Sequence, residues 1–161
     1  MVAALFALPV AGCGSPGESD EASSPGPQTS KSSSGQPSSG QPSFAAADGR
    51  DVGACADGNC EVAVSEPVTF RFPGPAGPAT LSVTEVGANR VEYTVKSGKS
   101  QSKGGVTGPG QGCVTVLRDN GGGNSCGDLG NATRPSPQPG AVVIQAVTGE
   151  DGTAILHIVT G

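Results

Sequence analysis

From about residue 48 onward, apolar and polar residues alternate in short runs, and Gly, Pro, Asn or Asp breaks each run after a few positions. Successive side chains of a strand leave on opposite faces, so this period of two predicts half-buried strands, and the breakers predict the turns between them. Seven strands follow: 61–65, 68–72, 80–86, 90–96, 113–118, 141–147 and 153–160. Within 90–96 the alternation sets Val91, Tyr93 and Val95 against Glu92, Thr94 and Lys96, which predicts one buried and one wet face. Two strands read differently. Val142, Val143 and Ile144 run together, as do Ile155, Leu156, Ile158 and Val159, so these are expected to be central strands covered on both sides and paired through the turn at 149–152. No stretch has the 3.6-residue period of an amphipathic helix. The expected fold is all-β, a small β-sandwich over 48–161.

The first 47 residues follow another pattern. Residues 2–11 are almost wholly apolar, which is far short of the ~20 residues a membrane-spanning helix needs. Residues 14–43 hold 5 Gly, 5 Pro and 11 Ser, and the pentapeptide Ser-Gly-Gln-Pro-Ser occurs twice in tandem at 34–38 and 39–43. Such a tract cannot bury enough apolar surface to offset the entropy of ordering it, so 13–47 is expected to be a disordered linker. Its typical span would be ~30 Å, and about 100 Å if pulled straight.

Between these two stretches stands Val10-Ala11-Gly12-Cys13, with an aliphatic residue followed by two small residues before a cysteine. These four residues resemble the lipobox of bacterial lipoprotein precursors. The resemblance implies a signal peptide over 1–12, cleavage before Cys13, a diacylglyceryl group on its sulfur, and a membrane-anchored chain facing the extracytoplasmic side. A signal peptide is expected to open with Lys or Arg, and Met1-Val2-Ala3-Ala4 has neither, which places the expected true start upstream. At the other end of the chain, Asp151-Gly152-Thr153-Ala154-Ile155-Leu156 resembles the last turn and strand of bacterial immunoglobulin-like modules. That resemblance favours a sandwich over a barrel.

Composition narrows the chemistry. The net charge is -5, whereas a protein that neutralises phosphates in nucleic acid needs a basic face, so no nucleic-acid partner is expected. With Cys13 lipidated, Cys55, Cys60, Cys113 and Cys126 remain, an even number suited to an oxidising compartment. Two local disulfides, Cys55 with Cys60 and Cys113 with Cys126, ask least of the chain. A two-residue turn at Asp119-Asn120 would set Cys113 opposite Cys126 in a non-hydrogen-bonded pair, where side chains lie closest, whereas the more usual Asn120-Gly121 turn shifts the register by two and would need a bulge. Intervals of four, 52 and twelve residues between these cysteines do not suit a structural zinc site, and no cofactor or metal is expected.

Catalytic residues are scarce. His157 is the only histidine and alternates with Ile155 and Val159, which reads as a structural position on a sheet face. Asp48, Asp51, Asp57, Glu61 and Glu66 lie close in sequence and are the only acids that suggest a hydrolase; Asp57-Gly58-Asn59 reads as a turn. Absence of Trp, with few other aromatics, argues against a sugar-stacking platform. Residues 97–112 read as a long loop, and Lys96, Lys99 and Lys103 make a local basic patch that could meet an anionic partner such as a wall polymer or lipid headgroups. Residues 121–139 read as a second loop without a role. The sequence thus predicts a monomeric, non-enzymatic binding or structural module held at the membrane through Cys13, facing a cell-wall polymer or another envelope protein. The alternatives are an envelope hydrolase that uses the acidic residues and an accessory or inhibitor subunit of a secreted enzyme.

Overall fold

The computed structural model describes residues 45–129 and 133–161. The lipobox, Cys13 and the linker up to residue 44 lie outside the described residues. The domain is all-β. A 3-10 helix at Val52–Asp57 precedes β1 (Asn59–Val64), β2 (Val68–Gly74), β3 (Gly77–Gly87), β4 (Arg90–Ser97), β5 (Ser100–Thr107), β6 (Gln111–Arg118), β7 (Gly121–Asp128), β8 (Ala141–Thr148) and β9 (Ala154–Thr160). All pairings are antiparallel; one sheet has the order β1-β9-β8-β6-β7 and the other β2-β3-β4-β5.

Among the described residues, nine strands replace the seven expected, and both additions correct a loop assignment. The basic stretch at 97–112 contains β5, and the glycine-rich stretch at 121–139 opens with β7. Alternation conceals β5 because its inward positions are Ser100, Ser102 and Gly104, all buried but small. At Gly104 the reason is the ring of Tyr93, which a β-carbon there would overlap. β7 contains no aliphatic residue at all.

Between the sheets lie Val62, Leu81, Val91, Val95, Leu117, Val142, Ile144, Leu156 and Ile158, all buried. Each such side chain contributes roughly 1.5–3 kcal/mol by leaving water. At the centre the Tyr93 hydroxyl lies 2.8 Å from Thr115 Oγ1, a hydrogen bond that joins β4 of one sheet to β6 of the other. Burial pushes the Tyr93 phenol above its ordinary pKa, and the bond to Thr115 offsets part of that shift.

Both local disulfides are formed. Cys55–Cys60 ties the 3-10 helix to β1 within the core, and Cys113–Cys126 crosses β6 and β7 with a Cα–Cα distance of 4.1 Å. Arg118 pairs with Gly121, so Asp119 and Asn120 form the turn between these strands, as the cysteine register requires.

β8 and β9 pair through the 149–152 turn and are central in their sheet, and even their outward residues are covered: Val143 is 1% exposed and Gln145 2%. Described residues on both sides of the β7–β8 connection also touch β6, whose two ends lie opposite the end of β7, at Gln111, and near the start of β8, at Arg118. Leu129 packs on the outward side of Gly112, and Arg118 donates to Pro139 O at 3.0 Å and to Gln138 Oε1 at 2.9 Å.

Candidate functional site

The outer face of the four-stranded sheet is assembled by register. One row across it reads Arg71, Thr80, Lys96, Gln101, and the next Thr69, Ser82, Thr94, Lys103. Every one of these side chains alternates with a core residue, since Phe70, Leu81 and Val95 turn inward, so the packing that buries one face dictates the other. Neighbouring strands lie ~4.8 Å apart, which sets the Arg71 and Lys96 backbones about 10 Å from each other. Lys96 and Lys103 are diagonal neighbours, a relation that spans ~7–8 Å. Thr80, Ser82, Thr84, Thr94, Lys96 and Gln101 line a shallow depression of about 430 Å³. Thr69 Oγ1 donates to Ser82 Oγ at 3.1 Å and Thr84 Oγ1 to Glu92 O at 3.3 Å, which orders two of the hydroxyls.

Positive charge therefore collects on one face of an acidic chain. Its two carboxylates, Glu85 and Glu92, stand opposite each other on β3 and β4, and Arg90 bridges them at 3.0 and 3.1 Å. That leaves Arg71, Lys96 and Lys103 as cations without an opposing carboxylate in their rows. Hydroxyls, an amide and cations provide hydrogen bonds and attraction for anions, but no pair of a nucleophile and a base. Of the three lysines singled out in the sequence, Lys96 and Lys103 come together on this face, and Lys99 sits in the β4–β5 turn. They belong to a hairpin, which corrects their expected position in a long loop. The sequence reading missed Arg71 and the threonine rows. Their signal was the polar half of the same alternation in 68–72, 80–86 and 90–96.

Asp48 and Glu61 are neighbours, but the five acidic residues do not gather in one site. Asp48 Oδ2 accepts from Glu61 N at 2.8 Å, Asp51 Oδ1 caps the 3-10 helix through Gly53 N at 2.9 Å, and Asp57 Oδ1 accepts from Asn59 N at 2.8 Å. Glu61 accepts from Ala47 N at 3.2 Å, and Glu66 is an exposed residue between β1 and β2. Four of the five thus fix backbone at the start of the domain. Among the described residues, no group of three or more His, Cys, Asp and Glu could hold a metal ion.

His157 lies on the outer face of the five-stranded sheet, opposite Glu61 on β1 and Gln145 on β8. Its Nε2 is 3.6 Å from Glu61 Oε2, while its Nδ1 and Gln145 Oε1 are buried without a partner among the described residues. Burial pushes the imidazole pKa down; Glu61 raises it in part, and Arg134 lowers it further. The ring has a carboxylate beside it but no hydroxyl or thiol bonded to it. No protein-family model, curated protein or solved structure matches this chain.

Proposed function

We propose that this chain is a membrane-anchored bacterial surface lipoprotein whose β-sandwich is a non-enzymatic module that binds an anionic polymer of the cell envelope. The observation that carries the binding reading is the face of the four-stranded sheet, where Arg71, Lys96 and Lys103 stand among hydroxyls on an otherwise acidic protein. Phosphate or carboxylate groups along a polymer would meet cations and hydroxyl donors there at strand spacing, with no aromatic platform required. Four of the five acids that a hydrolase would need are instead bonded to backbone amides at the start of the domain. The lipobox supports the anchoring half of the proposal, and the Gly/Pro/Ser tract supplies the reach from the membrane to the polymer.

Each half has its own experiment. Changing Cys13 to Ala should release the protein into the medium, and retention in the membrane fraction would end the anchoring reading. Binding is tested with polyglycerol phosphate and the full Cys13→Ala chain. The affinity should fall as salt rises, because screening weakens attraction between exposed charges. It should fall at least tenfold in Arg71→Gln/Lys96→Gln/Lys103→Gln with the fold intact. Equal binding by the triple variant would overturn the assignment of the face.

A further inference from the structure

The strand order leaves four edges, β1 and β7 in one sheet and β2 and β5 in the other, and three of them are occupied or blunted. β1 is paired beyond its last strand partner: Asp48 N donates to Glu61 O at 3.0 Å and Ala63 N to Gly49 O at 2.7 Å. β2 carries Arg71 and Pro73, a charge and a missing donor, both common guards of an edge. On β5, Lys103 O accepts from Asn124 Nδ2 at 2.9 Å.

β7 has no such guard. Its sequence, Gly121-Gly122-Gly123-Asn124-Ser125-Cys126-Gly127-Asp128, has no side chain larger than Asn or Asp, no charge before its last residue, and six of its eight residues exposed. Its hydrogen-bonding direction follows from the disulfide. Cys113 and Cys126 face each other with a Cα–Cα distance of 4.1 Å, which fits the close, non-hydrogen-bonded kind of antiparallel pair (~4.5 Å) and not the ~5.5 Å of the other kind. The alternation then gives the bonds with β6 to Gly123, Ser125 and Gly127. Gly122, Asn124 and Cys126 turn their N–H and C=O groups away from β6, and among the described residues none of these groups has a partner in any turn, cap or side-chain bond.

We infer that β7 is a pairing edge and that its partner is β7 of a second copy of this chain. The open groups recur at every second residue and centre on Asn124, so they complement themselves under a two-fold axis. Asn124 would bond Asn124 of the second copy, and Gly122 would bond Cys126 in both directions. Gly123 would then face Ser125 across the axis, and neither residue carries bulk that would hold the strands apart. The pairing extends two five-stranded sheets into one continuous sheet and removes the open edge from both. The disulfide holds β7 against β6 and so keeps the edge in register. The faces of the four-stranded sheets stay open, so this inference does not depend on the proposed polymer site.

The test uses the full Cys13→Ala chain, which lacks the one cysteine outside the two disulfides, so no intermolecular disulfide can imitate a dimer. Sedimentation from micromolar to millimolar concentration should show the mass rising from 15.6 kDa toward twice that value. Gly123→Lys/Ser125→Lys places like charges opposite each other across the axis. Both positions are exposed, and a β-carbon on Gly123 has nothing within 4 Å, so this variant should fold normally. It should weaken association at least tenfold, whereas Gly123→Ala should not. Amide exchange gives an independent readout: Gly122, Asn124 and Cys126 should gain protection with concentration, while Gly123, Ser125 and Gly127 are protected throughout. A chain that stays monomeric at millimolar concentration would overturn the inference. So would a dimer that is indifferent to the double lysine variant and leaves the amides of Gly122, Asn124 and Cys126 unprotected.

Discussion

Tyr93→Phe isolates a fully buried hydrogen bond that joins the two sheets through the core. Both residues of the pair have no exposure, and the hydroxyl oxygens are 2.8 Å apart. Removing the phenol oxygen keeps the ring and its packing, so no sizeable cavity opens. What remains is a buried Thr115 hydroxyl without its partner, which costs about 1–3 kcal/mol. Thr115→Val is the reverse experiment and strands the phenol at a similar cost. When both groups are removed, two apolar surfaces of nearly the original shape meet, and such a replacement is close to neutral. The double variant should therefore be no less stable than either single one, so the coupling energy should be at least as large as one single loss, about 1–3 kcal/mol. Denaturant unfolding at neutral pH reads this as shifts in midpoint at constant slope. If the two single losses simply add in the double variant, the hydroxyls act independently and the reasoning is wrong.

The same residue makes a prediction at high pH. Because burial raises its pKa, Tyr93 contributes stability that is complete below the unfolded value of about 10 and is lost as pH rises through the folded value. Wild type should lose stability above pH ~10 faster than Tyr93→Phe does. The chain has a single Tyr, so tyrosinate absorbance follows this group alone.

Three further outcomes are expected. His157 has a lowered pKa, so its contribution is present above about pH 6.5 and is lost as pH falls through the folded value; His157→Gln should flatten the decline in unfolding midpoint between neutral and mildly acidic pH, and an unchanged slope would contradict the assignment. Replacing Cys113 and Cys126 with Ser should cost ~3 kcal/mol and replacing Cys55 and Cys60 ~2 kcal/mol, because the first pair closes the longer loop; intact mass should rise by four protons on full reduction of the wild-type disulfides. Gly104→Ala should destabilise the domain by about 1–3 kcal/mol through overpacking against Tyr93; in Tyr93→Leu the same substitution should cost clearly less, as measured by thermal unfolding.

Much of the architecture is written locally. Val91, Tyr93 and Val95 alternate with polar residues and lie on the buried face of β4; Val142 to Ile144 and Ile155 to Val159 lack alternation and lie in strands covered on both sides. The cysteine spacing favours the local pairing as the least demanding of three, while the turn, Asp119-Asn120 rather than the more usual Asn120-Gly121, is decided by the pairing of Cys113 with Cys126 across β6 and β7. A strand that owes its place to its own apolar residues announces itself in this way.

β5 and β7 owe their places to other strands, and only the tertiary structure could reveal them. β5 presents the small residues Ser100, Ser102 and Gly104 to the interior, and at Gly104 the ring of Tyr93, on its neighbour, already fills the space; β7 is glycine-rich and keeps its strand form through pairing with β6 and the disulfide. The candidate face depends on the same long-range order. Lys96 and Lys103 become diagonal neighbours only when β5 pairs with β4, and Arg71 joins them only through β3, since register couples residues that the sequence keeps far apart. Alternation tells a residue which face it belongs to, but the pairing of strands decides which other residues share that face.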